Sequence, residues 1–315
     1  MRKEITVDKE YDGSRVDRFV GKFFPTIPKG KVQKMLRKGD IRLNGKKTSG
    51  EVRISQGDVV RVFTFDEEKT ITVRQDVGDV EVLYEDESLI CIMKPAGIVT
   101  HPDKNHDESL SERLIKYLYG GGEYSGAFVS APLNRLDYNT SGIVLAAKTP
   151  SYARVLAELI AKNKVIKEYL AIVEGEFSGK RKVVTYAVKD EEKNMMILTE
   201  EETEGSVMMA SVFEGICYGG GYSLVKCRLI TGKTHQIRSQ LKYIGHPIIG
   251  DMKYFSETSK ERSKDTGSKR QMLHCYKVTI PTDFDTITVT APPAKDMKKI
   301  MTKLSFDNYD NLQEI

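Results

Sequence analysis

The sequence predicts an α+β protein in two unequal parts: a small N-terminal domain over residues 1–64 and a larger mixed domain over 79–305. Three observations lead to that division. Cationic residues crowd into the N-terminal part. Two short helical patterns and a hairpin signal fill the same stretch. Beyond it, strand and helix patterns follow one another in irregular order, unlike a repeating βαβ chain.

Between Gly13 and Val62, thirteen Lys/Arg face four Asp/Glu, a surplus of nine. The whole chain carries only +4, so the remainder stands at −5. A cationic module on a mildly acidic body suggests a polyanion-binding part. A solvated charged surface is the plainer alternative.

Residues 14–23 place Val16, Phe19, Val20 and Phe23 at helical spacing, with Ser14 and Asp17 as the expected capping pair. After the break at Pro25 to Pro28, residues 29–38 repeat the pattern. Val32, Met35 and Leu36 face inward there, while Lys29, Lys34, Arg37 and Lys38 line the other side. Gly39-Asp40 and Asn44-Gly45 then mark a turn and a hairpin, and Gly57-Asp58 leads into the strand VVRVFTF.

Residues 65–78 are polar and acidic and read as a linker. VEVLYEDESLICIMKP reads as a strand pair whose second member is buried. Residues 151–162 form an amphipathic helix with Ser151 as the expected cap. KEYLAIVEG, YSLVKCRLI and YKVTIP read as strands, 256–270 as a polar loop, and 306–315 as a fraying tail. There is no internal repeat.

With 39% hydrophobic and 30% charged residues, the composition is that of a folded globular chain and not a disordered one. No run approaches the roughly 18 apolar residues of a membrane span, and the N-terminus lacks the apolar stretch of a secretion signal. The four cysteines form no CxxC pair and read as reduced thiols. The expected compartment is the cytoplasm, with no membrane partner.

Two stretches draw attention for chemistry. In PLNRLDYNTSGIVLAAK, residues 132–148, an Arg-x-Asp sits in a polar turn before an apolar strand. Taken alone, Asp137 reads as a loop carboxylate capping backbone amides. In CRLITGKTHQIRSQLKYIGHPIIGD, a strand turns at Gly232 and continues into a helix carrying His235 and Arg238. A phosphate-binding loop would need glycine where Cys227 stands. His235 and His246 lack partners at metal-ligand spacing, and no GxSxG elbow supports a hydrolase. Taken alone, His235 and Arg238 read as a structural helix end.

Together these stretches resemble the RluA family of pseudouridine synthases. Its His-Arg-Leu-Asp-x-x-Thr-Ser-Gly signature is met by NRLDYNTSG at 134–142. An aspartate-bearing strand leading to Lys-Pro-x-Gly is met by EDESLICIMKPAGIVTHP at 85–102, and Lys-x-Tyr by KEYLAIVEG at 167–175. The Gly-x-Thr-His-Gln-Ile-Arg element with Gly-His-Pro-Ile-x-Gly-Asp is met by 232–251, and LHCYKVTIP at 273–281 also fits. The N-terminal segment, through KVQKMLRKGDIRLNGKK and QGDVVRV, resembles the S4 RNA-binding domain.

These resemblances imply a mixed, largely antiparallel sheet with a central cleft, and an RNA substrate whose uridine leaves its stack. They imply an isomerisation that needs no cofactor and no metal. Asp137 matches the catalytic carboxylate and Arg238 its cationic partner. Tyr169 matches the tyrosine that stacks on the target base, and Arg135 the arginine that displaces or replaces it. Thr140 and His235 fall in the family's substrate-binding elements. Lys29, Lys31, Lys34, Arg37, Lys38 and Arg42 are the expected phosphate contacts of the S4-like part.

Asn134 stands where the family has histidine, Tyr138-Asn139 replaces a more polar pair, and EGSVMMASVFEGI lacks an expected Ala-x-Thr. The leading expectation is a monomeric enzyme for large-subunit ribosomal RNA. Transfer RNA as substrate, or a non-catalytic RNA-binding assembly factor, are the alternatives.

Overall fold

The structure, a computed structural model, describes residues 2–25, 27–63, 69–126 and 128–306. It divides into two units, Met1–Thr70 with Ser125–Ala127, and Ile71–Tyr124 with Phe128–Ile315.

The first unit holds β1 (Arg2–Thr6), α1 (Val16–Phe23), α2 (Lys29–Lys38), β2 (Ile41–Leu43), β3 (Lys46–Lys47) and β4 (Val59–Phe63). Its four strands pair in the order β1-β4-β2-β3. The helical spacing seen in the sequence puts Val16, Phe19 and Val20 of α1 with Val32, Met35 and Leu36 of α2, in one core with Ile41, Val60 and Val62. Gly39, at φ +86°, ends α2 by returning its N–H to the Met35 and Leu36 carbonyls. Asn44 and Gly45, both at positive φ, turn β2 into β3.

This packing leaves Lys29, Lys31, Lys34, Arg37 and Lys38 exposed on α2 and Arg42 exposed on β2. None of the six forms an ion pair with a described residue. The expected Ser14–Asp17 capping pair does not form. Arg15 is the N-cap, and the Asp17 carboxylate is drawn sideways to Arg15 Nη2 at 2.7 Å and Gln33 Nε2 at 3.0 Å.

The chain continues through β5 (Lys69–Val73), β6 (Glu81–Glu85), β7 (Leu89–Lys94), α3 (Leu110–Tyr119), β8 (Gly122–Gly126), β9 (Ser141–Ala147), α4 (Pro150–Ala161) and β10 (Ile166–Glu174). Then come β11 (Lys180–Asp190), β12 (Met195–Thr199), β13 (Val207–Gly219), β14 (Tyr222–Leu229), α5 (Gln236–Tyr243), α6 (Glu257–Thr266), β15 (Leu273–Pro281), β16 (Thr286–Thr290) and α7 (Lys295–Lys303). Ten of these strands form one sheet in the order β12-β11-β13-β14-β10-β15-β9-β7-β6, with β16 beside β15. Every pairing in it is antiparallel except β9 with β15. The architecture is therefore the mixed, largely antiparallel α+β sheet that was expected. Leu110 and Leu114 of α3, Leu156 of α4, and Met297, Ile300 and Met301 of α7 share its core.

The β9–β15 joint is unusually close. There Gly142, at φ +123°, lies so close to β15 that a Cβ would stand 2.2 Å from the Cys275 carbonyl oxygen. Only glycine permits that approach. The joint aligns Cys227 of β14, Tyr169 of β10, Cys275 of β15 and Gly142 of β9 in one cross-strand row.

Four further expectations are corrected. Residues 69–73 of the expected linker form β5, because Thr70-Ile71-Thr72-Val73 is β-branched throughout, and Val73 and Val77 are buried. Part of the expected polar loop at 256–270 is α6, which lacks an apolar stripe; the Gly250 N–H donates to Ser263 in it at 2.8 Å. The cap of α4 is Thr149, two residues before Ser151, with Pro150 supplying the first helical position. The tail expected to fray begins with Phe306, which is buried in the main core; residues 307–315 lie outside the described residues.

His274 of β15 reinforces the joint. Its Nδ1 lies 2.9 Å from Ser141 Oγ and its Nε2 3.4 Å from the Ala291 carbonyl. A carbonyl only accepts, so Nε2 carries the proton and Nδ1 accepts from Ser141. Burial pushes this imidazole down to about 4 from 6.5. Between those values the unfolded chain binds a proton that the folded chain refuses, so stability falls as pH falls through that window. The slope from this group reaches about 1.4 kcal/mol per pH unit. Urea unfolding from pH 7 to 4.5 should show that component for wild type and lack it for His274→Gln.

Candidate active site

Asp137 sits in the turn that enters β9, and that turn is held by its backbone from two sides. On one side, Lys94 Nζ donates to the Tyr138 carbonyl at 3.0 Å and to that of Pro95 at 2.9 Å. The Gly97 N–H reaches the same Tyr138 carbonyl at 3.0 Å. The Thr100 hydroxyl donates to the Leu136 carbonyl at 3.1 Å and accepts from the Leu136 N–H at 3.2 Å.

On the other side, Arg270 donates from Nη1 to the Asn139 carbonyl at 2.9 Å and from Nη2 to Ser141 Oγ at 3.3 Å. Its fork is anchored on Asp296 at 2.6 and 2.8 Å. Thr140 closes the turn with its N–H on the Asp137 carbonyl at 2.9 Å, and its hydroxyl accepts from Gln271 at 3.4 Å. Asn134 Oδ1 receives the Leu145 N–H at 2.7 Å, a further backbone tether.

With the backbone fixed, the Asp137 carboxylate is left 29% exposed, and Arg238 Nη1 donates to its Oδ2 at 2.9 Å. Arg238, on α5, is itself only 6% exposed. Its remaining fork is taken by the buried Asp251, Nε to Oδ2 at 2.6 Å and Nη2 to Oδ1 at 2.8 Å. Asp251 also accepts the N–H groups of Lys253 at 2.8 Å and Tyr254 at 3.0 Å.

Burial opposes the charge on both members of this pair. For Arg238, the hydrogen bonds and charges of Asp251 and then Asp137 outweigh burial and raise its pKa above the usual value. For Asp251, Arg238 and the two backbone donors outweigh burial and hold the carboxyl below its usual range.

His235 caps α5 in the left-handed region, at φ +53°. The Tyr254 hydroxyl accepts from the Met196 N–H at 2.6 Å and lies 3.0 Å from His235 Nδ1. Burial lowers the His235 pKa, with Asp137 resisting and Arg238 and Lys253 adding to the shift. The ring is therefore neutral, with Nε2 lying 4.0 Å from Asp137 Oδ2.

Tyr169 is buried in the same core; desolvation first, and then Cys275 and Asp137, raise its pKa well above the usual value. Its phenol stays protonated. Lys94 is fully buried, and burial pushes its ammonium down to about 7; the charge of Asp137 resists this and Arg270 adds to it. Burial, followed by Arg135, lowers the His101 pKa.

The structure thus brings Asp137, Arg238, His235 and Tyr169 together, with Thr140 buried in the same turn as Asp137 and Arg135 exposed two residues before the carboxylate. Lys29, Lys31, Lys34, Arg37, Lys38 and Arg42 belong to the first unit. Sequence reasoning missed Asp251, Lys94, Arg270 and Tyr254. A lysine closing the apolar run LICIM was the available signal for Lys94, and the aspartate ending GHPIIGD was the signal for Asp251. Elsewhere, a groove of about 620 Å³ lies on the reverse face of the sheet from Tyr169, lined in part by Glu168, Lys180, Glu214, Lys226 and Arg228. There Glu214 bridges Lys180 and Lys226 at 3.3 Å each. Among the described residues, no cluster of three or more His, Cys, Asp or Glu could hold a metal ion.

Residues 88–243 match the RNA pseudouridylate synthase family. Ribosomal large subunit pseudouridine synthase C of Pasteurella multocida is 30% identical over 98% of this chain and 96% of its own length. An uncharacterized RNA pseudouridine synthase of Mycoplasma pneumoniae is 32% identical over 88% of this chain and 87% of its own. The solved structure of human RNA pseudouridylate synthase domain containing 1 has the same fold, with a TM-score of 0.55 and 22% identity over 68% of this chain and 83% of that one.

Replacing Asp251 by Asn should leave the buried Arg238 short of a counter-charge. Breaking such a pair costs about 3–5 kcal/mol. Urea unfolding should therefore show a loss of about 3 kcal/mol or more; a loss under about 1 kcal/mol would mean that the pair is solvated and does not organise the site.

Proposed function

The chain belongs to the RNA pseudouridylate synthase family and is an RNA-modifying enzyme, and from that premise we propose that it isomerises uridine to pseudouridine in large-subunit ribosomal RNA, with Asp137 as the reacting carboxylate. The observation that supports this most is the ion-pair chain Asp251–Arg238–Asp137. A carboxylate half-open to solvent, on a turn fixed by its backbone and paired with a buried guanidinium, is a group held ready for a substrate.

The reaction breaks the bond from N1 of the base to C1′ of the ribose, turns the base, and joins C5 to C1′. The hydrogen on C5 is then lost and N1 gains a proton, so electrons neither enter nor leave. Asp137 acts at the sugar–base junction, either by attack on the ribose carbon or by removing a ribose proton. Both courses use the carboxylate as an anion, and a guanidinium donor 2.9 Å away suits an anion in a half-closed site.

The uridine reaches this turn only when out of its stack, at a cost of a few kcal/mol. The ring of Tyr169 offers a contact for the extruded base, and its protonated phenol can donate a proton or hydrogen bond but is a poor base. Exposed Arg135 reaches the flanking phosphate or the vacated space, and neutral His235 presents Nε2 at the Asp137 edge of the site.

We read the first unit as an S4-like domain that grips the RNA backbone. The support is the row of exposed cations Lys29, Lys31, Lys34, Arg37 and Lys38 on α2, with Arg42 on β2, none in an ion pair with a described residue. Such contacts release counterions and make binding steeply dependent on salt. The ribosomal assignment is supported by relatives named as ribosomal large subunit enzymes that align along nearly their whole length.

Pseudouridine mapping of total RNA from a deletion strain carrying either wild type or Asp137→Asn tests this reading. Sites in large-subunit ribosomal RNA restored by wild type alone are the expected result. Restoration confined to transfer RNA would overturn the substrate assignment, and restoration by both proteins would overturn the role of Asp137.

A further inference from the structure

We propose that the exposed ring of Tyr138, backed by His106, is a stacking shelf for the nucleobase adjacent to the uridine that reacts at Asp137. The proposal rests on the functional reading above and extends it to a second nucleotide of the substrate.

Tyr138 directly follows Asp137, yet it behaves unlike its neighbours in the turn. Leu136 and Thr140 are buried, whereas Tyr138 is 42% exposed. This is not a loose side chain on a loose loop. The Tyr138 carbonyl receives both the Lys94 ammonium and the Gly97 N–H at 3.0 Å, so the ring leaves a backbone fixed at two points.

The ring is also supported from one side. Its centroid lies 4.5 Å from that of His106, with the planes tilted by 40°. His106 is pinned in turn, its Nδ1 lying 2.7 Å from Asp103 Oδ1, which also takes the Asn105 N–H at 2.8 Å. The result is an aromatic surface, one residue from the reacting carboxylate, braced by His106 and still 42% exposed.

A uridine drawn out of its stack leaves a neighbouring base with a bare face. An aromatic side chain can cover such a face whatever the base, because every base presents a π surface. A tyrosine held one residue from Asp137 is placed to do so as the uridine reaches the carboxylate. Packing of the 103–106 turn against the catalytic turn is the alternative account of the contact, but packing alone gives no reason to leave so large an aromatic side chain exposed.

The test uses full-length protein and a transcript of the RNA segment found by mapping, under single-turnover conditions. Tyr138→Phe should match wild type within about twofold. Tyr138→Ala, and Tyr138→Leu, which retains apolar packing on His106, should each raise the half-saturating RNA concentration roughly 5- to 150-fold. An abasic nucleotide on the 5′ or the 3′ side of the target should weaken wild type by a similar factor on one side only, and should weaken Tyr138→Ala no further there. Wild-type behaviour of the Ala and Leu variants would overturn the shelf, as would abasic and Ala effects that multiply. A transcript that wild type itself leaves unconverted would overturn the functional reading and the shelf with it.

Discussion

The arrangement of the second unit depends on one electrostatic requirement, the burial of a guanidinium between two carboxylates. Arg238 has almost no access to solvent, so its charge must be met within the protein. Asp251, fully enclosed, takes two of its donors, and Asp137 takes one from the side that faces solvent. The inner carboxylate fixes the arginine and the arginine fixes the outer carboxylate, which is the group we assign to the chemistry. Asp137 thus keeps a precise position without itself being enclosed.

That geometry is worth nothing unless the turn bearing Asp137 is equally firm, and the fold spends several buried polar groups on it. Lys94, the last residue of β7, and Thr100 beyond it hold it from one side; Arg270, in the chain just before β15 and gripping Asp296 of α7, holds it from the other. The two sides meet at the parallel joint of β9 and β15, where Gly142 lets the strands approach. The backbone of Arg270 also lies against Gly250, where a Cβ would stand 2.0 Å from the Arg270 carbonyl oxygen. One residue therefore ties the turn carrying Asp137 to the turn carrying Asp251. Position, and not an unusual reactive group, is what this scaffold supplies.

Much of this was legible in the sequence, for identifiable reasons. Val16, Phe19 and Val20 betray α1 because a helix buried on one face repeats its apolar residues every three to four positions. LICIM betrays β7 because a strand covered on both faces is apolar throughout. Asp137, Arg238 and Tyr169 were found through ordered motifs, since nothing in their own spacing points to a shared site. Helix α6 was missed because it is polar all round and has no stripe to detect. Arg270 and Lys94 were missed because a structural cation acquires its meaning only from the carbonyls that the fold brings to it. Ser14 was misjudged as a cap because Asp17 finds Arg15 and Gln33 instead, and Gln33 is contributed by a different helix.

The central claim is that Asp137, held by Arg238, carries out the isomerisation. Formation of pseudouridine expels the hydrogen from C5 of the base, so tritium release from RNA labelled at that position reports the chemical outcome directly. Purified wild-type protein should release tritium from labelled large-subunit ribosomal RNA, and Asp137→Asn, folded to the same extent, should release none above background. Release by the variant at a rate near that of wild type would contradict the account, because the chemistry would then run without the carboxylate around which the site is built.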